Sequence, residues 1–102
     1  MKSIKSDREY KEVLKTGKKI RSKVGTILYV NANESKYGII TSKKLGSAVI
    51  RNRIKRRIKE ALKAIDFGIM EGKIMVFIPN KGSEDLKFSI LKEKIEEMLG
   101  AV

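Results

Sequence analysis

The chain has 102 residues, no cysteine or histidine, and 24 Lys and Arg against 12 Asp and Glu, for a net charge of +12. That length suits one domain, 1–102, with one modest core, and 41% hydrophobic content is enough to fold it. The missing residue types exclude disulfides, thiolate or imidazole catalysis and the commonest metal ligands, and the excess charge points to an anionic partner.

Ser6-Asp7-Arg8-Glu9 fits a capping box and predicts a helix from about Asp7 to Thr16, stopped by Gly17. Tyr10, Val13 and Leu14 form its apolar face. Lys18, Lys19, Arg21 and Lys23 read as a basic linker, with room for a short strand at Ile20–Lys23. Val24–Val30 reads as a strand, with Val24, Thr26, Leu28 and Val30 on one face and Gly25, Ile27 and Tyr29 on the other. Asn31–Ser35 is a turn by composition, and Lys36–Ser42 a second strand, so the two are expected to form an antiparallel hairpin. After a basic helix from Ser47, expected to end near Asp66-Phe67-Gly68, Lys73–Ile78 is an apolar strand covered on both sides. A last helix is expected from Glu84 to Leu99, with Phe88, Leu91, Ile95 and Leu99 inward. The order α-β-β-α-β-α predicts an α+β two-layer sandwich, one sheet with helices mainly on one face.

The segment Lys43–Lys63 carries the functional signal, with nine basic residues and one acid. From Ser47 onward, Ile50, Ile54, Ile58, Ala61, Leu62 and Ile65 share one helical stripe. Asn52, Arg56, Lys59 and Lys63 fall opposite, with Arg51, Arg53, Lys55 and Arg57 on the flanks. A merely solvated face mixes signs in Glu–Lys pairs; here Glu60 alone offsets the cations, and a polyanion would relieve their repulsion. Arginine suits bidentate phosphate contact, and Asn52 among them can both donate and accept.

A membrane partner finds no support: no apolar run approaches the ~20 residues that span a bilayer, and Met1–Lys5 lacks a signal-peptide core, so the cytoplasm is expected. Catalysis by the chain is not expected either. There is no Gly-rich phosphate loop, no small-molecule site is indicated, and the acid pairs Asp7/Glu9 and Glu84/Asp85 sit where helix starts use them. RNA binding is the leading reading. A ribosomal or RNA-chaperone protein and a protein-only nuclease are the alternatives. Tyr10, Tyr29 and Tyr37 either stack on unpaired bases or pack in the core with a wet hydroxyl.

Lys43-Lys44-x-Gly46-x-Ala48-Val49-x-Arg51-Asn52-Arg53-x-Lys55-Arg56, followed by Lys59-Glu60, resembles the signature of the bacterial ribonuclease P protein subunit. Tyr10, Val13 and Gly17 resemble that family's first-helix pattern. The resemblance implies a fold like domain 2 of ribosomal protein S5, with a left-handed β-α-β crossover. It implies that the catalyst is an RNA subunit with its magnesium ions; no catalytic residue and no metal site is expected of this chain. Lys43, Lys44, Gly46, Arg51, Asn52, Arg53, Lys55 and Arg56 would then meet the ribonuclease P RNA, with Arg57 and Lys59 on the same helix. Tyr10, Leu14 and Tyr29 would line a cleft for the 5′ leader of precursor tRNA. Leu14 stands where a second Phe is common, Ser47 where Asn is usual, and Pro79-Asn80-Lys81 replaces an A-R-K-like stretch.

Overall fold

The computed structural model describes residues 2–65, 68 and 71–102. Strand β1 (Lys2–Ser3) leads to α1 (Asp7–Thr16), β2 (Lys18–Ser22), β3 (Gly25–Asn31), β4 (Lys36–Ile39), α2 (Ala48–Ala64), β5 (Lys73–Pro79) and α3 (Phe88–Gly100). The five strands form one sheet in the order β1-β4-β5-β3-β2.

The expected hairpin between the strands at Val24–Val30 and Lys36–Ser42 does not form. Strand β5 lies between them, antiparallel to β3 and parallel to β4. The reason lies in the composition of β5. Met75, Val76 and Phe77 are fully buried on alternating faces, so this strand takes the middle of the sheet, where both sides are covered. The segment after β3 therefore passes across the end of β5 instead of turning back. Two hydrogen bonds tie it there, from Ala32 N to Gly72 O at 2.8 Å and from Gly72 N to Ser35 Oγ at 2.9 Å. The hairpin that does form joins β2 to β3, pairing Lys18 with Tyr29 through Ser22 with Gly25. The expected basic linker is thus mostly edge strand.

Strand parity divides the apolar residues between two clusters. Ile27, Met75 and Phe77 face α2 and α3 and meet Ile54, Ile58, Leu62, Leu91, Ile95 and Leu99. Leu28 and Val76 face the other way and meet Val13 of α1, with Ile4, Tyr10, Val30, Ile74 and Ile78 around them. Two helices cover one face, and α1 covers part of the second, leaving the rest open.

Helix α1 has the predicted bounds. Ser6 caps it by accepting from Arg8 N at 3.2 Å, but the Glu9 carboxylate turns outward to Lys36 Nζ at 2.9 Å. Helix α2 ends at Ala64, just before the expected stop; Asp66 and Phe67 lie outside the described residues. Helix α3 starts four residues later than expected. A short 3₁₀ turn at Ser83–Asp85 precedes it, and Phe88, expected inward, is 40% exposed at the first helical position.

Candidate nucleic-acid interface

The approach to α2 is built to aim the helix. Lys43–Leu45 form one 3₁₀ turn, with Leu45 buried and both lysines exposed. Gly46 follows with φ 133°, a conformation L side chains rarely adopt, and a Cβ there would sit 2.9 Å from Ile50 Cδ1. Backbone shape alone is thus enough to require glycine at this position of the motif. Ser47 caps the helix, its hydroxyl accepting from Ile50 N at 3.4 Å. Serine and asparagine are both good N-caps, so the departure at Ser47 preserves this function.

The inner stripe docks as the periodicity predicts: Ile54, Ile58, Ala61, Leu62 and Ile65 are buried. Each buried Ile or Leu contributes about 1.5–3 kcal/mol. Like-charge neighbours on a helix surface cost only about 0.2–0.5 kcal/mol per pair, so the core sets the fold despite the repulsion. Asn52, Arg53, Arg56, Lys59 and Lys63 are exposed, and Arg51 and Lys55 half-buried. Val49 stands 77% exposed beside them. Among the described residues the ion pairs are Lys36 with Glu9 and Glu34, Lys92 with Glu96, and Lys94 with Glu97. None involves α2, so no acid of the described chain neutralises its cations.

Arg57 differs from its neighbours. Its Nη1 donates to Ser83 O at 2.9 Å and Glu84 O at 2.6 Å, and its Nη2 donates to Leu86 O. The guanidinium fork is spent on three carbonyls of the turn before α3, so Arg57 ties α2 to that turn. This structural role is one that the sequence did not announce.

On the open face, α1 overhangs the sheet beside a cleft of about 450 Å³ lined by Leu14, Lys19, Arg21, Thr26, Leu28 and Asn80 among others. Leu14 is 40% exposed at its lip. Lys19 and Arg21 pair with Leu28 and Thr26, so parity points both cations into the cleft. The basic linker expected from the sequence is a strand here, and alternation along Lys18–Ser22 decides which of its cations face the cleft. Asn80 closes one end, its Nδ2 donating to Lys23 O at 3.1 Å and its N to Val24 O at 2.9 Å.

The three residues expected in this cleft do not meet there. Tyr29 shares a face with Ile27 and packs against the cluster under α2 and α3, on the far side of the sheet from Leu14. Tyr10 lies on the same face as the cleft but nearer β4, its ring against Gly38, where any Cβ would collide with it. Burial pushes the Tyr10 hydroxyl pKa up, opposed by a hydrogen bond from the Ile39 backbone N–H.

A family model described as Ribonuclease P matches residues 1–102. The chain belongs to the ribonuclease P protein family. It is 36% identical over 96 residues to the ribonuclease P protein component of Carboxydothermus hydrogenoformans, covering 90% of this chain and 83% of that protein. It is 37% identical over 102 residues to that of Clostridioides difficile, covering 96% and 89%. The RNase P protein from Thermotoga maritima superposes with a TM-score of 0.87 at 26% identity, covering 100% of this chain and 98% of that one. The Staphylococcus aureus RNase P protein gives 0.85 at 26% identity, covering 99% and 94%. As a ribonuclease P protein component, the chain is a subunit of a ribonucleoprotein endoribonuclease that acts on precursor tRNA. Among the described residues, no helix is long and apolar enough to cross a membrane.

Proposed function

We propose that α2 seats on the ribonuclease P RNA while the cleft beside α1 holds the 5′ leader of precursor tRNA. The observation that carries this is the array of cations on α2 with no acidic partner among the described residues. Lys43, Lys44, Arg53, Lys55, Arg56 and Lys59 meet fixed phosphates of a folded RNA, and Asn52 adds a neutral donor and acceptor. In the cleft, Lys19 and Arg21 take leader phosphates while Leu14, Leu28 and Ile78 give bases of any sequence an apolar surface. The RNA subunit supplies the chemistry with magnesium. The chain's own part is to place the substrate and to neutralise charge between two polyanions in the cytoplasm.

Reconstitution tests this. At low magnesium, adding the protein to the ribonuclease P RNA raises cleavage of precursor tRNA, and protein with magnesium alone cuts nothing. Six phosphate contacts give the protein–RNA complex a log–log salt slope of about −4 to −5. A complex insensitive to salt, or no stimulation of cleavage, refutes the assignment.

A further inference from the structure

Between α1 and α2, at the open edge of β4, lies a recess of about 220 Å³ that neither surface accounts for. Tyr10, Tyr37, Gly38, Ile39, Lys55 and Lys59 line it. It draws on both sides of the sheet. Tyr10 comes from the α1 side, whereas Tyr37 and Ile39 pair with Met75 and Phe77 and so face α2. The edge is open because β1 stops at Ser3. Ile4 N still donates to Tyr37 O at 2.8 Å, and beyond Ser3 the paired register of β1 with β4 ends. Lys55 and Lys59, one helical turn apart, both line the same opening.

Among the described residues no acid lines the recess. On the strand beside it, Lys36 binds Glu9 at 2.9 Å and Glu34 at 3.2 Å, which occupies those carboxylates. Two phenol rings alone would be ordinary core packing, and two lysines alone a solvated helix flank. Together they supply a π-face and a phosphate partner lining one recess. We propose that the recess holds one unpaired nucleotide of the RNA seated on α2, its base against Tyr37 and its phosphate on Lys55 and Lys59. RNA contact then wraps from α2 onto the sheet edge. The inference rests on the reading of α2 given above.

The test titrates the isotope-labelled full chain with a 5′-phosphorylated single-stranded hexaadenylate while backbone amide shifts are followed. Binding to the ribonuclease P RNA is measured in parallel. Amides of Tyr37–Ile39 and Lys55–Lys59 shift saturably. Tyr37→Leu weakens that response at least about fivefold through loss of stacking. Tyr37→Phe, which keeps the ring, stays within about twofold. Lys59→Ala, at an exposed position that the fold does not need, weakens it too and lowers the salt slope by about 0.7. Shifts confined to Leu14, Thr26 and Leu28, or full affinity in both Tyr37→Leu and Lys59→Ala, overturn the proposal. Should wild type bind the ribonuclease P RNA in a salt-sensitive way while the recess amides stay still, the recess alone falls. Should it bind neither, the reading of α2 falls with it.

Discussion

Arg56 and Arg57 are neighbours in sequence, and the structure gives them opposite tasks, so replacing each by alanine separates binding from folding. Arg57→Ala removes three charge-assisted hydrogen bonds to Ser83, Glu84 and Leu86 carbonyls. Such bonds contribute about 1.5–3 kcal/mol each where water is excluded. Arg57 is only half-buried and water can reach the freed carbonyls, so the net loss is about 2–3 kcal/mol. For a domain of this size that lowers Tm by roughly 10–20 °C. At 25 °C the variant remains folded and keeps most of its RNA affinity. Arg56→Ala does the reverse. Its side chain is exposed and makes no ion pair among the described residues, so stability changes by less than about 0.5 kcal/mol. RNA affinity falls and the salt slope drops by about 0.7–0.9. Thermal melts by circular dichroism and filter binding across a salt series read both quantities. An Arg57→Ala chain that melts like wild type but loses RNA as Arg56→Ala does would refute this division.

Gly46→Ala forces a side chain into a positive-φ conformation against Ile50 and costs about 1–3 kcal/mol, read as a lower urea midpoint, with the motion of α2 also weakening RNA binding. Leu14→Glu puts a carboxylate at the cleft lip beside Lys19 and Arg21, leaving the melt unchanged while leader-bearing precursor tRNA loses affinity on the order of tenfold. A one-nucleotide-leader substrate is unaffected, which competition assays resolve. Tyr10 has a raised pKa in the folded state, chiefly from burial, so its contribution is fully present below the unfolded value near pH ~10 and is lost as pH rises through the folded one. Lys36, raised by its bonds to Glu9 and Glu34, acts in the same direction at higher pH. Urea midpoints therefore fall above pH ~10, and Tyr10→Phe flattens the first part of that fall.

Helical periodicity made α1, α2 and the inner residues of α3 legible, because a stripe at 3.6-residue spacing has one way to face a core. The apolar run of β5 likewise announced a central strand. Strand partners were not legible: sequence adjacency favours pairing β3 with β4, and only the demand of β5 for cover on both faces separates them. Alternation along β3 already placed Tyr29 opposite Leu28, and that parity, not the family pattern, decides which face it serves. Arg57 could not be told from Arg53 or Arg56 by helix angle alone. Its acceptors lie 26 to 29 residues further on, in a turn whose approach to α2 depends on the whole sheet. The late start of α3 has the same origin, since the turn that receives Arg57 displaces the helix to Phe88.

Strand β5 has a consequence for how the two proposed RNA surfaces are related. Met75 and Phe77 lie under α2, and Val76, between them, lies under α1 with Ile78 beside the cleft. Successive residues of one backbone thus underlie the surface proposed for the catalytic RNA and the one proposed for the leader, with no hinge between. On that proposal the subunit works as a fixed-gauge shim: it can tilt as a whole, but it cannot alter the spacing between the two surfaces. Inserting a single residue into β5 would invert both sides together.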